Sequence, residues 1–189
     1  MPRRILLAAC LVAALAPAAK AQTYKVDPVH STLLYRVKHM DVSYHYGRFD
    51  DIAGTITMDA DPAKTKIEFT VKVASVNTGN KARDGHLTSA DFFNAAQYPR
   101  IKFVSTKVAK DGDAYDVTGN LTMHNVTKPI RFKLEATGTG KNPQNGKTIV
   151  GFESKFPVKR SEFGIGGTIP PAIIGDDVTV IVGLECGQQ

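Results

Sequence analysis

Cysteine is nearly missing from this chain: among 189 residues only Cys10 and Cys186 carry a thiol. Cys10 lies in an N-terminal apolar segment, and once that segment is removed Cys186 has no partner for an internal disulfide, even in an oxidising compartment. The fold must then hold by packing alone. Long apolar runs are also lacking. A membrane-spanning helix needs about 18 or more uninterrupted apolar residues, whereas the run from Ile5 to Leu15 is stopped by Pro17 and Lys20, so no stable membrane anchor is expected. Positive charge is not gathered into a Lys/Arg block or interleaved with aromatics, which removes the usual footprint of nucleic-acid binding. Helical periodicity is scarce.

What stands at the N-terminus is Arg3 and Arg4, the apolar run Ile5 to Leu15, and then Ala19-Lys20-Ala21, the charged, apolar and small-residue order of a secretory signal. Residues 1–21 are expected to be cleaved, leaving residues 22–189 as one exported domain outside the cytoplasm. Leu7-Ala8-Ala9-Cys10 resembles a lipoprotein cleavage box, but a cut there leaves an apolar region of only Ile5 to Ala9, which is too short. The leader takes Arg3, Arg4 and Lys20 with it, so 21 basic residues face 18 acidic ones and the formal charge falls from +6 to +3.

Most of the mature sequence alternates apolar and polar residues at period two, the mark of strands with one buried face. Leu33, Tyr35 and Val37 share a face, as do Ile52, Ile56 and Met58, and then Ile67, Phe69, Val71 and Val73. Downstream come Tyr115 to Met123, Ile130 to Leu134, Val150 to Val158 and Val178 to Leu184. Between Ile101 and Val108 the phase slips from Ile101/Phe103 to Val104/Thr106/Val108, which predicts a bulge. Short turns at Asp111-Gly112-Asp113, His124-Asn125-Val126-Thr127 and Asn142 to Gly146 make sequential neighbours antiparallel. Two segments read as non-strand: Met40 to Tyr46, and Asn80 to Pro99, where Ser89-Ala90-Asp91-Phe92-Phe93 reads as a capped helical turn. About eight strands with few helices and no disulfide favour an all-β, eight-stranded antiparallel barrel with one or two short lid helices, over a two-sheet sandwich.

Chemistry-bearing constellations are sparse. His30, His39, His45, His86 and His124 show no compact His-x-x-x-His spacing, so no metal site is expected. Ser31 adjoins His30, but strand neighbours point to opposite faces and cannot share a proton. Gly164-Ile165-Gly166-Gly167 lacks the Lys-Ser/Thr of a phosphate loop and reads as a turn. His39, at the end of the Leu33/Tyr35/Val37 face, is the one titratable residue to test for catalysis, though nothing supplies its orienting partner. Whether the bore is filled or hollow stays open, because both need apolar inward faces. Small residues on those faces, Gly54, Ala74, Gly119, Ala136 and Ser154, hint at a hollow one.

The ordered motifs Tyr24-Lys25-Val26-Asp27-Pro28-Val29-His30-Ser31, Gly47-Arg48-Phe49, Arg83-Asp84-Gly85-His86-Leu87, Asp91-Phe92-Phe93 with Tyr98-Pro99, Ile101-Lys102-Phe103, Gly119 to Pro129 and Arg160-Ser161-Glu162-Phe163-Gly164 resemble the YceI-like family of periplasmic, polyisoprenoid-binding, lipocalin-like proteins. Asn125, where glycine is common, and Lys159, where an acid is frequent, are small departures. The resemblance implies an extended barrel whose bore holds a polyisoprenoid, an isoprenoid quinone or a similar lipid, with no other cofactor and no enzymatic activity. Its ligand-binding residues are then expected on the inner faces and lid: Leu33, Tyr35, Val37, His39, Ile67, Phe69, Val71, Phe92, Phe93, Phe103, Phe132, Phe152 and Val180. The expected partner is a long-chain lipid, with a homodimer left open. The competing classes are an enzyme acting on a lipid-like substrate in the same cavity, and a structural or stress-response protein with a filled core. Protein recovered from its own cell should begin at Gln22; N-terminal sequencing that finds Met1 retained, or a lipid on Cys10, overturns the export reading.

Overall fold

The computed structural model describes residues 20–189. Of the segment read as a signal, residues 1–21, all but Lys20 and Ala21 lie outside the described residues. Period-two alternation produces eleven strands: β1 (Gln22–Val26), β2 (Thr32–His39), β3 (Ser43–Phe49), β4 (Ile52–Met58), β5 (Lys66–Lys72), β6 (Val76–Asn77), β7 (Arg100–Asp111), β8 (Ala114–Met123), β9 (Val126–Lys141), β10 (Thr148–Lys159) and β11 (Asp177–Gln188). They form one antiparallel sheet in the order β1-β4-β5-β7-β8-β9-β10-β11-β2-β3-β6, closed by pairing of β1 with β11. The eleven segments are eight ribbons, because β1/β2, β3/β4 and β5/β6 are each one path interrupted once. The expected eight-stranded barrel is therefore the fold. Closure gives every ribbon a neighbour on both sides, though β9 meets β8 through residues 126–135 and β10 through residues 135–141, and no ribbon is left at an open edge of the sheet.

The interruptions are stitched by side chains. Between β1 and β2 the Ser31 hydroxyl donates to the Glu185 carbonyl at 3.2 Å and accepts from the Glu185 amide at 3.0 Å, replacing a missing strand partner. His30 instead turns its Nδ1 to Asp27 Oδ2 at 2.9 Å, so the two neighbours serve different partners as expected of adjacent residues. Between β5 and β6 the chain makes a 3₁₀ turn at Val73–Ser75, whose Ser75 carbonyl accepts from Asp50 in the β3/β4 break at 3.0 Å.

Several details differ from the sequence reading. Ser43 to Tyr46, read as non-strand, belong to β3, which pairs with β2 from Leu33↔Phe49 to His39↔Ser43. The turn between them uses Met40 and Asp41 at φ of 50° and 54°, a left-handed conformation that carries no Gly or Asn signal here. The helix ends where it was expected to begin: α1 (Lys81–Thr88) is capped by Asn80, whose side chain accepts from the Arg83 amide at 3.1 Å. Ser89 ends it, donating its hydroxyl to the His86 carbonyl at 2.8 Å. Phe92 and Phe93 follow in turns. The expected bulge is present, with the β7–β8 register shifting between Ser105 and Lys107. It turns Val108 inward, whereas Val104 and Thr106 face solvent. Ala74 and Ala136 are exposed, on the 3₁₀ turn and on the outer part of β9. Gly54 and Gly119 do lie on the inner wall, but for another reason: a Cβ there would collide with the rings of Phe69 and Phe103, which lie flat against the strand beside them.

The barrel interior divides along its axis. At the end carrying the β7–β8 and β9–β10 hairpins, Ile56, Ile67, Val108, Val117 and Cys186 are almost completely excluded from solvent and form a solid plug. Burial pushes the Cys186 thiol up to about 12, so it stays protonated. The other end, where β2 turns into β3 and β10 runs on to β11, is hollow. Ile67→Ala, deep in the plug, should destabilise by about 2–5 kcal/mol, the usual cost of a core truncation that leaves a cavity; urea denaturation of the purified protein measures it.

Candidate ligand-binding cavity

In the hollow half the inward faces enclose an apolar cavity of about 210 Å³. Register decides who lines it. On β2, Leu33, Tyr35 and Val37 alternate inward and pair with Val182 and Val180 of β11 and with Gly47 and Phe49 of β3. Phe69 and Val71 of β5 lie beside Ile101 and Phe103 of β7. Across the ring, Phe132 of β9 tilts against Phe103 at 5.2 Å between centroids and stacks on Phe156 of β10 at 4.7 Å. On the β2/β3 side Tyr35, Phe49 and Phe93 follow one another at 6.0 and 5.7 Å.

A roof of two segments covers this half. The first runs from Thr78 through α1 to Pro99. Asp84 accepts from the Thr78 amide and hydroxyl at 2.8 and 2.6 Å, and Arg83 donates to the Thr78 hydroxyl and carbonyl, each at 2.9 Å. These bonds fix the helix start to the end of β6 and turn Leu87, Phe92 and Phe93 down to the cavity. The second segment joins β10 to β11 and is organised by Arg160, which is 6 % exposed and has no carboxylate partner. Its Nε donates to the Gly175 carbonyl, Nη1 to those of Ile165 and Gly166, and Nη2 to those of Ile169 and Ile174, at 2.6 to 3.2 Å. All five N–H groups of the guanidinium are occupied. Ile165 and Ile174 of this segment face the cavity. His124 fastens it to the β8–β9 turn, its Nδ1 lying 3.1 Å from the Phe163 carbonyl and its ring against Tyr98.

Two of the polar side chains in the lining are engaged with the protein backbone, whereas the Tyr35 phenol makes no hydrogen bond among the described residues. The Ser154 hydroxyl donates to the Lys133 carbonyl at 2.5 Å, and Arg160 is saturated. Burial raises the Tyr35 phenol to about 12, which keeps it neutral. Among the described residues the buried side-chain polar atoms without a partner are Arg36 Nε and His45 Nε2, and neither residue lines the cavity. The cavity therefore offers dispersion and exclusion of water, and little for a charged group.

Ten of the thirteen residues expected at the site line this cavity: Leu33, Tyr35, Val37, Phe69, Val71, Phe92, Phe93, Phe103, Phe132 and Val180. Three do not. Ile67 and Phe152 point inward as expected but sit in or beside the solid plug, Phe152 against the Tyr115 ring. His39 is exposed at the strand end, where its backbone bridges to Ile174. Among the residues missed are Phe49, Phe156 and Leu87, which sit in runs or motifs already visible, and Ile165, Ile174 and Arg160, which lie in a loop without periodicity.

A closed antiparallel barrel with an apolar cavity under a roof defines a barrel ligand-binding protein. The chain belongs to the YceI-like family: the family's domain model matches residues 24–186. It is 41% identical over 177 residues to protein YceI of Escherichia coli O157:H7, covering 92% of this chain and 91% of that one. Among solved structures it resembles BcnA of Burkholderia cenocepacia, with a TM-score of 0.77 and 26% identity over 85% of this chain and 98% of that one. The YceI protein of Campylobacter jejuni gives 0.73 and 34% over 80% and 90%. A polyisoprenoid binding domain from Saccharophagus degradans, implicated in plant cell wall breakdown, shares the fold at 0.66 and 20% identity over 88% and 98%.

Replacing Arg160 by Met should leave the carbonyls of Gly175, Ile165, Ile169 and Ile174 without that donor, while the Gly166 carbonyl keeps the Ile169 amide at 3.0 Å. We expect a loss of about 3–5 kcal/mol, since each buried acceptor left unsatisfied costs about 1–3 kcal/mol before the loop relaxes, together with faster amide exchange across residues 160–176. Arg160→Lys should restore only part, since an ammonium has three donors and no planar fork. Denaturant unfolding and hydrogen exchange read both effects.

Proposed function

We propose that this protein binds one long apolar chain in the hollow half of its barrel, and sequesters or carries it in the periplasm without transforming it. The single observation that carries the reading is the roofed cavity lined almost wholly by apolar side chains, in which Ser154 and Arg160 are already hydrogen-bonded to the protein backbone. At about 210 Å³ it is smaller than the roughly 300–1,000 Å³ of pockets for drug-sized molecules, so it holds part of a long ligand and leaves the rest outside. A polyisoprenoid or the tail of an isoprenoid quinone fits that description, with a ring or polar head left at the mouth. Each buried methylene contributes about 0.8 kcal/mol, so about ten give a micromolar affinity before association costs are subtracted. The likeness to a polyisoprenoid binding domain supports the same ligand class.

The absence of catalysis is supported by how the reactive side chains are used. Ser31 is engaged with the Glu185 backbone, the Cys186 thiol is buried and protonated, and His39 is exposed with no cavity contact. A filled, purely structural barrel describes only the plugged half. Mass spectrometry of an organic extract of protein isolated from its own cell should find a long-chain isoprenoid or similar lipid at near-stoichiometric amount. Phe132→Ala, which removes the ring stacked on Phe156, should lower lipid retention while costing less than the about 3–5 kcal/mol of a truncation in a solid core. Lys72→Ala, on the outer face, should change neither. Full core destabilisation by Phe132→Ala with no extractable lipid overturns the reading.

A further inference from the structure

The roofed end of the barrel carries an apolar tip that packing inside this chain does not explain. The β2–β3 turn exposes Met40 at 55% and Val42 at 86% of their surface. Beside it, the Met40 amide donates to the Ile173 carbonyl at 2.9 Å, which fixes the turn against the β10–β11 loop. That loop has no charged residue from Phe163 to Gly175, and its exposed stretch reads Pro170-Pro171-Ala172-Ile173, with Ile173 41% exposed. The next residue, Ile174, lines the cavity. Arg160 holds the loop through five carbonyls, so the tip is built and held out from the barrel.

Just behind the tip, the outer face of β2 and β3 changes character. Tyr44 and Tyr46, each about half exposed, alternate with cations: Arg36 lies over the Tyr44 ring at 4.2 Å, and Lys38 and Arg48 share the face. Residues 32–50 contain Arg36, Lys38 and Arg48 against Asp41 and Asp50; Lys38 lies 3.8 Å from Asp41 and Arg48 2.5 Å from Asp50, both pairs exposed to solvent. An apolar extremity with tyrosines and cations together behind it, Tyr44 opposite Lys38 and Tyr46 opposite Arg36, matches groups seated in a membrane interface: apolar residues at the acyl boundary, tyrosines and cations at the level of the headgroups.

We propose that this end docks on an anionic phospholipid surface, with Met40, Val42 and Pro170 to Ile173 entering the headgroup and acyl boundary and Arg36, Lys38 and Arg48 facing lipid phosphates. Docking sets the cavity end of the barrel, rather than its plugged end, against the bilayer. This goes beyond cavity binding, and either property can fail without the other.

The test uses the full mature protein with vesicles of phosphatidylcholine alone or with a quarter phosphatidylglycerol. The protein should co-sediment with the mixed vesicles and far less with pure phosphatidylcholine, and binding should weaken as salt rises. Val42→Asp and Ile173→Asp should each reduce binding at least tenfold with the unfolding midpoint unchanged, because both side chains are exposed. Lys38→Ala should weaken it about fivefold, as for one basic residue near an anionic surface. Val104→Asp, an exposed apolar residue on the outer face of β7, should have no effect. Absence of binding to either vesicle, or binding insensitive to Val42→Asp and Ile173→Asp, overturns the proposal. So does sedimentation equilibrium showing a dimer that Ile173→Asp dissolves, because the tip would then be a contact between copies.

Discussion

The hollow half of the barrel depends on one buried cation. Arg160 sits inside the protein with no carboxylate, and its charge is tolerated because five backbone carbonyls converge on its five N–H groups. Seventeen residues separate β10 from β11, too many for a hairpin turn, and they contain few large side chains to pack. The guanidinium substitutes for a small hydrophobic core, drawing the loop around a point and satisfying carbonyls that would otherwise be buried without donors. Without it the roof has no reason to fold over the cavity.

The same chain solves two packing problems with one pattern of alternation. In the plugged half, medium-sized branched residues from opposing ribbons meet and exclude solvent. In the hollow half, aromatic rings are laid against the wall: Phe69 and Phe103 lie over Gly54 and Gly119, and Tyr35 lies over Gly47, where no Cβ stands in the way. A ring held flat covers backbone without reaching across the bore. Glycine beneath an aromatic thus sets the width of the cavity, and the difference between a filled and an open barrel lies in how the rings are oriented more than in how apolar the faces are.

That distinction explains what could and could not be read from the residues. Period two marked the inward faces of β2, β5, β7 and β9, because a buried face imposes its chemistry residue by residue; the bulge in β7 was visible as a slip of phase. It could not separate Phe69 from Ile67, neighbours on one face, since which half of the barrel a residue occupies depends on strand stagger set by distant partners. β3 was hidden because its outer face carries Tyr44 and Tyr46 and its turn places Met40 and Asp41 in a left-handed backbone without glycine. The role of Arg160 was invisible for a different reason. Its partners are carbonyls, which every sequence has, and nothing in residue identity says where five of them will gather.

Cys186 has a consequence of its own. A thiol that meets an oxidant is a hazard, since copies can be joined by exchange at its sulfur. Here it lies at the centre of the plug, fully enclosed and held protonated, and exchange requires the thiolate in contact with a partner. Only an opened barrel exposes it. Covalently linked copies of this chain would therefore be a record of past unfolding, and their scarcity a measure of how rarely the plugged half comes apart.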